Sequence, residues 1–396
     1  MSYMIEPSEV VLQCEKYQQG ICHSCSLIDT PYNQQLSQKQ ATLEKILNAY
    51  LTSEASILEP ISSEISGFRY KAKMAVSGTV ENIHLGLINH TFDGIDLTDC
   101  PLYPETIRLK FPLIKKYIQQ AGLVPYQVKT KKGILKQVLL TESRSTGQTM
   151  IRFVLKDDSK IAKMKEHLST LFNDETIQVI SANIQPVHQA ILEGPEEIIL
   201  GEHNAITEIF NDISLFIKPK SFFQTHPVLA EKLYATAAKW GSHSEALTIW
   251  DLFCGVGGFG LHALKALQKI SQNNVSLVGI EIEPNAIESA KKSASELGLK
   301  NVTFDALDST LFTSQNRQSP NLLIVNPPRR GLGNKLAEAI NQLETKTIIY
   351  SSCHVDSLAK DLSILTSYRI NKIQLFDFFP HTTHFEVLVE LVKQDI

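Results

Sequence analysis

A chain of 396 residues exceeds what one hydrophobic core usually organises, so two domains are expected. Its 38 Lys and Arg against 42 Asp and Glu leave a formal charge of −4, which excludes a protein that coats nucleic acid nonspecifically. Residues 1–10 hold Glu6, Pro7 and Glu9 in place of an apolar segment, and no apolar run reaches the roughly 18 residues of a membrane helix, so a cytoplasmic protein is expected.

The chain opens on Cys14-x7-Cys22-x2-Cys25, and Cys100 follows in Asp99-Cys100-Pro101. In a reducing compartment these thiols read as metal ligands rather than disulfides. Four thiolates suit zinc or an iron–sulfur cluster, and spacing alone leaves the metal open. A helix is expected over 34–50, strands over 73–76, 137–140 and 149–155, and a helix over 161–171, an α+β pattern that places the first domain at 1–204. Within it, residues 101–150 carry nine Lys and Arg and two acids, a patch able to neutralise phosphates or simply a solvated face. Phe68, Arg69, Tyr70, Lys71 and Lys73 mix aromatic faces with positive charge, as an RNA contact or a strand edge would.

From 205 to 396 the rhythm becomes strand, loop, helix. Strands are expected at 248–253, 275–282, 301–304, 321–325, 347–350 and 385–391, with helices at 261–270 and 286–297. That alternation implies an α/β domain built on a doubly wound, mostly parallel sheet, with ligands at the carboxyl ends of its strands.

After the first of these strands comes Gly255-x-Gly257-x-x-Gly260, and Glu281 ends the next strand 21 residues after Gly260. A glycine loop opening a helix, followed by a correctly spaced acid for ribose hydroxyls, points to a nucleoside cofactor. A dinucleotide would bring a pyrophosphate to the helix N-terminus, whereas Asp251, Glu281 and Asp308 make the surroundings acidic. Three carboxylates favour a sulfonium, hence S-adenosylmethionine.

The fourth strand ends in Asn326-Pro327-Pro328-Arg329, similar to the loop with which amino-group methyltransferases hold a planar base, although an aromatic residue usually stands where Arg329 does. The fifth runs into Ser351-Ser352-Cys353 just before a helix starting near Asp356, where the dipole is expected to bias the thiol towards thiolate. Glu386 sits in an otherwise apolar strand, where desolvation would raise its basicity, while Glu390 is expected to point outward. His381 and His384 read as polar edge residues.

The motifs Asp251-Leu-Phe-Cys-Gly-Val-Gly-Gly-Phe-Gly, Asn326-Pro-Pro-Arg-Arg-Gly, Ser351-Ser-Cys353 and His384-Phe-Glu386 together resemble the RNA uracil-5-methyltransferase family across nearly the whole chain. The resemblance implies a Rossmann-like class I methyltransferase domain, Cys353 as nucleophile and Glu386 as general base. It further implies S-adenosylmethionine held by Gln224, Phe253, Glu281 and Asn326, and a 23S rRNA partner that presents a flipped-out loop uridine to a monomer. It tips the four cysteines, Cys14, Cys22, Cys25 and Cys100, to a [4Fe–4S] cluster, since bacterial 23S rRNA members bind one through this pattern. The short segment before Cys14 is similar to the members without an N-terminal RNA-binding barrel.

Overall fold

The computed structural model describes residues 11–188, 191–242, 247–270, 274–316 and 318–394; residues 1–10 lie outside them. The strands are β1 (Ser56–Ile61), β2 (Lys71–Gly78), β3 (Ile83–Ile88), β4 (Gly94–Asp96), β5 (Leu135–Glu142), β6 (Thr149–Leu155), β7 (Ile177–Ile184) and β8 (Glu196–Ile199). They continue with β9 (Ile206–Phe210), β10 (Ile213–Ile217), β11 (Thr248–Leu252), β12 (Ser276–Glu281), β13 (Val302–Ala306), β14 (Leu322–Val325), β15 (Thr347–Ser352), β16 (Tyr368–Phe376) and β17 (Glu386–Lys393).

Strands β2 to β8 form a seven-stranded sheet in the order β4-β3-β2-β5-β6-β7-β8, antiparallel except where β6 and β7 run together. On β2 the side chains alternate, so Ala72, Met74 and Val76 are buried while Lys73 on the other face is exposed. The buried face packs on the helices Phe111–Gln120 and Ile161–Glu166 through Phe111, Ile114, Phe153 and Met164. The single helix expected over 161–171 is two short ones, because helical geometry lapses at His167 before Ser169–Phe172.

The second sheet has the order β1-β16-β17-β15-β14-β11-β12-β13, parallel but for β17, which is antiparallel to both neighbours. β14 reads Leu-Leu-Ile-Val and is buried throughout, as a strand covered by helices on both faces must be. Each such side chain contributes roughly 1.5–3 kcal/mol by leaving water. The hairpin of β9 and β10 turns on Asn211 and Asp212, both at positive φ, and two such residues give the turn the right-handed twist its strands need.

β1 belongs to this second sheet although it precedes the first in sequence, pairing in parallel with β16. The helix Tyr32–Leu47 packs Leu43 and Leu47 under it. There Lys39 Nζ reaches Asp377 Oδ1 at 2.6 Å, Tyr32 donates to the other oxygen at 2.9 Å, and all three side chains are buried. Removing one partner of such a pair costs about 3–5 kcal/mol. Among the described residues no helix is long and apolar enough to cross a membrane.

Candidate active site

Strand register decides which side chains share a face. Asp251 of β11 lies beside Ile324 of β14, Ile324 beside Ile349 of β15, and Ile349 beside Glu390 of β17. Because facing alternates every residue, Ser351 and Glu386 point to that same side. Extending the pairs Ser351–Leu388 and Ser352–Val387 by one position sets Cys353 across from Glu386. Asn326, one residue beyond β14, falls beside Ser351 by the same count.

Glu386 is fully buried, and burial pushes its carboxyl up to about 7, with a 2.5 Å hydrogen bond from Ser351 Oγ holding it down. Cys353 is half-buried. Its thiol is pushed up to about 11, first by burial and then by the Glu386 charge, while Arg329 draws it down. The expected thiolate bias is therefore overturned. His354 is the N-cap of the helix Val355–Leu362 and its ring accepts the Ser357 N–H, so Cys353 stands outside the helix and desolvation outweighs the dipole. Arg329 Nη2 lies 3.3 Å from His384 Nδ1, and its charge acts on the thiol. Glu390, expected outward, is buried and paired with Lys372 at 2.8 Å, because β16 covers that edge.

The glycine loop joins β11 to the helix Gly258–Ile270. Gly255 and Gly257 adopt positive φ, and so does Phe253 at 62°, a backbone cost of roughly 1 kcal/mol for a side-chain-bearing residue. Gly260 N–H donates to Asp251 Oδ2 at 2.8 Å, and the other oxygen of Asp251 has no partner among the described residues. Burial pushes this carboxyl up to about 7. Glu281 accepts from Gly255 N at 3.2 Å and from Ile282 N at 2.7 Å, so one carboxylate ties the loop to the end of β12. Asp308 caps the helix Ser309–Gln315, accepting from Thr310 N at 2.9 Å. One cavity brings Gln224, Phe253 and Asn326 together with Gly255 and Gly258, walled by Tyr234 and Phe259. The fourth residue expected there, Glu281, does not line this cavity but bonds Gly255, which does.

The four amino-terminal cysteines, Cys14, Cys22, Cys25 and Cys100, line one cavity of about 330 Å³ beside Arg69 and Lys73. Burial first and the other three sulfurs next push Cys25 up to about 12, and burial pushes Cys100 up to about 11. Among the described residues no group of three or more His, Cys, Asp or Glu side chains is arranged to hold a metal ion. The thiols thus gather at a cavity without forming a closed ligand set.

Of the residues singled out for RNA contact, Phe68 is buried and stacks on His226 at 5.2 Å, Tyr70 N donates to Thr225 O, and Lys73 alone is exposed. Lys71 is pushed down to about 8 by burial and by Lys73 and Arg152. The basic patch is thinned as well: Lys110 is buried against Glu142, and Lys115 pairs with Asp96. His381 hydrogen-bonds Gln35 and Ile65, a structural tie. Ser351 and Arg329 were not expected as partners of Glu386 and Cys353; the signal for Ser351 lay in its position two residues before Cys353 on one strand.

The family model described as tRNA (Uracil-5-)-methyltransferase matches residues 198–394. A 23S rRNA (uracil(747)-C(5))-methyltransferase of Xenorhabdus bovienii is 50% identical over 382 residues, covering 96% of this chain and 99% of its own. The protein of the same description from Yersinia enterocolitica is 48% identical, covering 96% and 100%. A solved structure, the Pyrococcus abyssi tRNA (uracil-54, C5)-methyltransferase in complex with S-adenosyl-L-homocysteine, superimposes with a TM-score of 0.76 at 24% identity. That likeness covers 96% of this chain and 85% of the other and shows the shared fold.

Proposed function

Since the chain belongs to the RNA uracil-5-methyltransferase family, we propose that it methylates carbon 5 of a uridine in 23S rRNA, the one its relatives know as 747, using S-adenosylmethionine and yielding 5-methyluridine. The observation that carries this is one sheet face that holds a half-buried thiol opposite a fully buried carboxyl, beside a glycine loop.

Carbon 5 of an intact uracil is too weak a nucleophile to displace a methyl from sulfonium. A uridine rotated out of its stack solves this by meeting Cys353. The thiol gives its proton to solvent water as the base docks, Arg329 favouring the anion, and sulfur bonds to C6 while Glu386 stays free for the later step. The electron pair released spreads over O4 and C5, and C5 takes the methyl in line, leaving S-adenosylhomocysteine. Glu386 then accepts the C5 proton, the C6–S bond breaks, and the thiolate returns. Gln224, Phe253, Glu281 and Asn326 hold the methyl donor, Glu281 through the ribose hydroxyls.

Cys14, Cys22, Cys25 and Cys100 would hold a [4Fe–4S] cluster, whose contribution when bound is a structural crosslink between the amino-terminal segment and the loop around Cys100. The chemistry of the donor set supports it, four thiols on one cavity with Glu15 and Asp99 beside them. In this reading the enzyme acts as a monomer in the cytoplasm. Iron and sulfide near four per chain, lost in Cys25→Ser, are the expected analysis.

The test of the methyl transfer is a trapped adduct. Glu386→Gln should accumulate a denaturation-resistant protein–RNA species, and Cys353→Ala should lose adduct and product alike; an active Cys353→Ala enzyme would sink the scheme. Mapping 5-methyluridine in RNA from a strain lacking the protein fixes the target, and loss from a different 23S rRNA or tRNA uridine would move the site while keeping the chemistry.

A further inference from the structure

The basic patch that the methyl transfer leaves unused contains a built groove of about 440 Å³ on the seven-stranded sheet. Its floor is Ala75 of β2 and Gln137 of β5, which pair in register. Three large apolar side chains stand exposed around it: Phe92 at 52%, Val187 at 45% and Ile191 at 47%.

Hydrogen bonds hold described residues on both sides. Phe92 stands at positive φ in a turn that Asn89 holds, its side-chain oxygen accepting from Thr91 N at 3.0 Å and Asp93 N at 2.8 Å. Opposite, Lys136 Nζ donates to Gln185 O at 2.6 Å and Val187 O at 2.8 Å, and His188 Nδ1 lies 2.9 Å from Tyr126 Oη. An exposed phenyl ring and an exposed imidazole therefore face one slot on an ordered frame.

Charge identifies the occupant. Beyond the slot, Lys129, Lys131 and Lys132 are exposed on the turn closed by Gln127 N and Lys132 O, and no Asp or Glu occurs between Glu105 and Glu142. Apolar ring faces beside a run of unpaired-sign cations suit a nucleobase and its phosphates, since every base offers a π-face and every link a negative charge. From Ala75 the strand runs about 17 Å back to Tyr70, at 3.4 Å per residue. There Tyr70 N bonds Thr225 O, next to Gln224 of the donor cavity.

We propose that this groove is a second RNA subsite, which stacks one unpaired base flanking the target uridine between Phe92 and His188; it rests on the RNA-methylating reading above.

The experiment uses the full chain and an in vitro transcribed 23S rRNA hairpin carrying the target, with photoactivatable 4-thiouridine at single flanking positions. A crosslink from one flanking position to the peptide of Phe92 or His188 is expected. The Phe92→Ala/His188→Ala double variant, at exposed positions, should raise KM for the hairpin about ten-fold with kcat and S-adenosylmethionine affinity unchanged. Unchanged KM and crosslinks confined to other peptides would overturn the subsite while methylation by the wild type persists. A wild type that binds the hairpin without methylating it would instead overturn the target assignment, and the crosslink would still decide the groove.

Discussion

Ser351 donates its hydroxyl to Glu386 across 2.5 Å, with both side chains buried in the sheet. This interaction opposes burial in setting the acidity of Glu386. Ser351→Ala should therefore raise that pKa further above about 7, since the ionised form loses its donor. At pH 7 the fraction of carboxylate falls, and kcat should drop by about ten-fold, recovering near pH 9. A pH–rate profile whose acid limb stays in place would show that Ser351 does not tune the base.

The same carboxyl carries a stability cost. Its folded pKa lies above the ordinary 4.5, so the folded state holds the proton more tightly than the unfolded one. Its contribution is fully present below about pH 4 and lost as pH rises through about 7. Glu386→Gln should be more stable than wild type at pH 8 by about 3 kcal/mol, with the difference vanishing near pH 4. Urea unfolding at the two pH values measures it.

The Cys353 thiol feels Glu386 and Arg329 with opposite sign. Alkylation by iodoacetamide at pH 8.5, followed on the peptide containing residue 353, should slow several-fold in Arg329→Met and quicken in Glu386→Gln. Equal rates in all three proteins would mean that burial alone governs the thiol.

Gly260 leaves no room for a side chain: a Cβ there would lie 2.8 Å from Asp251 Oδ2 and 2.9 Å from Leu277. Gly260→Ala should cost about 1–3 kcal/mol and displace the loop that Asp251 anchors. Calorimetry should find S-adenosylmethionine bound at least ten-fold more weakly, with a lowered Tm. Unaltered binding would separate the Asp251 bond from the donor cavity.

Local patterns carried most of the fold. The strand expected over 149–155 coincides with β6, and the run of strands from 248 onward forms one sheet, because apolar runs bounded by turn residues and a glycine loop at fixed spacing need no distant partner to be recognised. The hairpin of β9 and β10 was less visible, since five-residue strands with mixed facing carry little periodicity. The pairing of β1 with β16, more than 300 residues away, could not be read from either segment.

What the sequence determined by itself was which residue types stand at strand ends around one loop: Cys353, Glu386, Asn326 and Glu281. What only the tertiary structure decided was their state. The Cys353 thiol is held up near 11 and the Glu386 carboxyl near 7, and Glu390 is turned inward, because burial and facing depend on what β16, β17 and Arg329 place beside them. Spacing along a chain encodes position within an element, whereas desolvation and charge act through space between elements far apart in sequence.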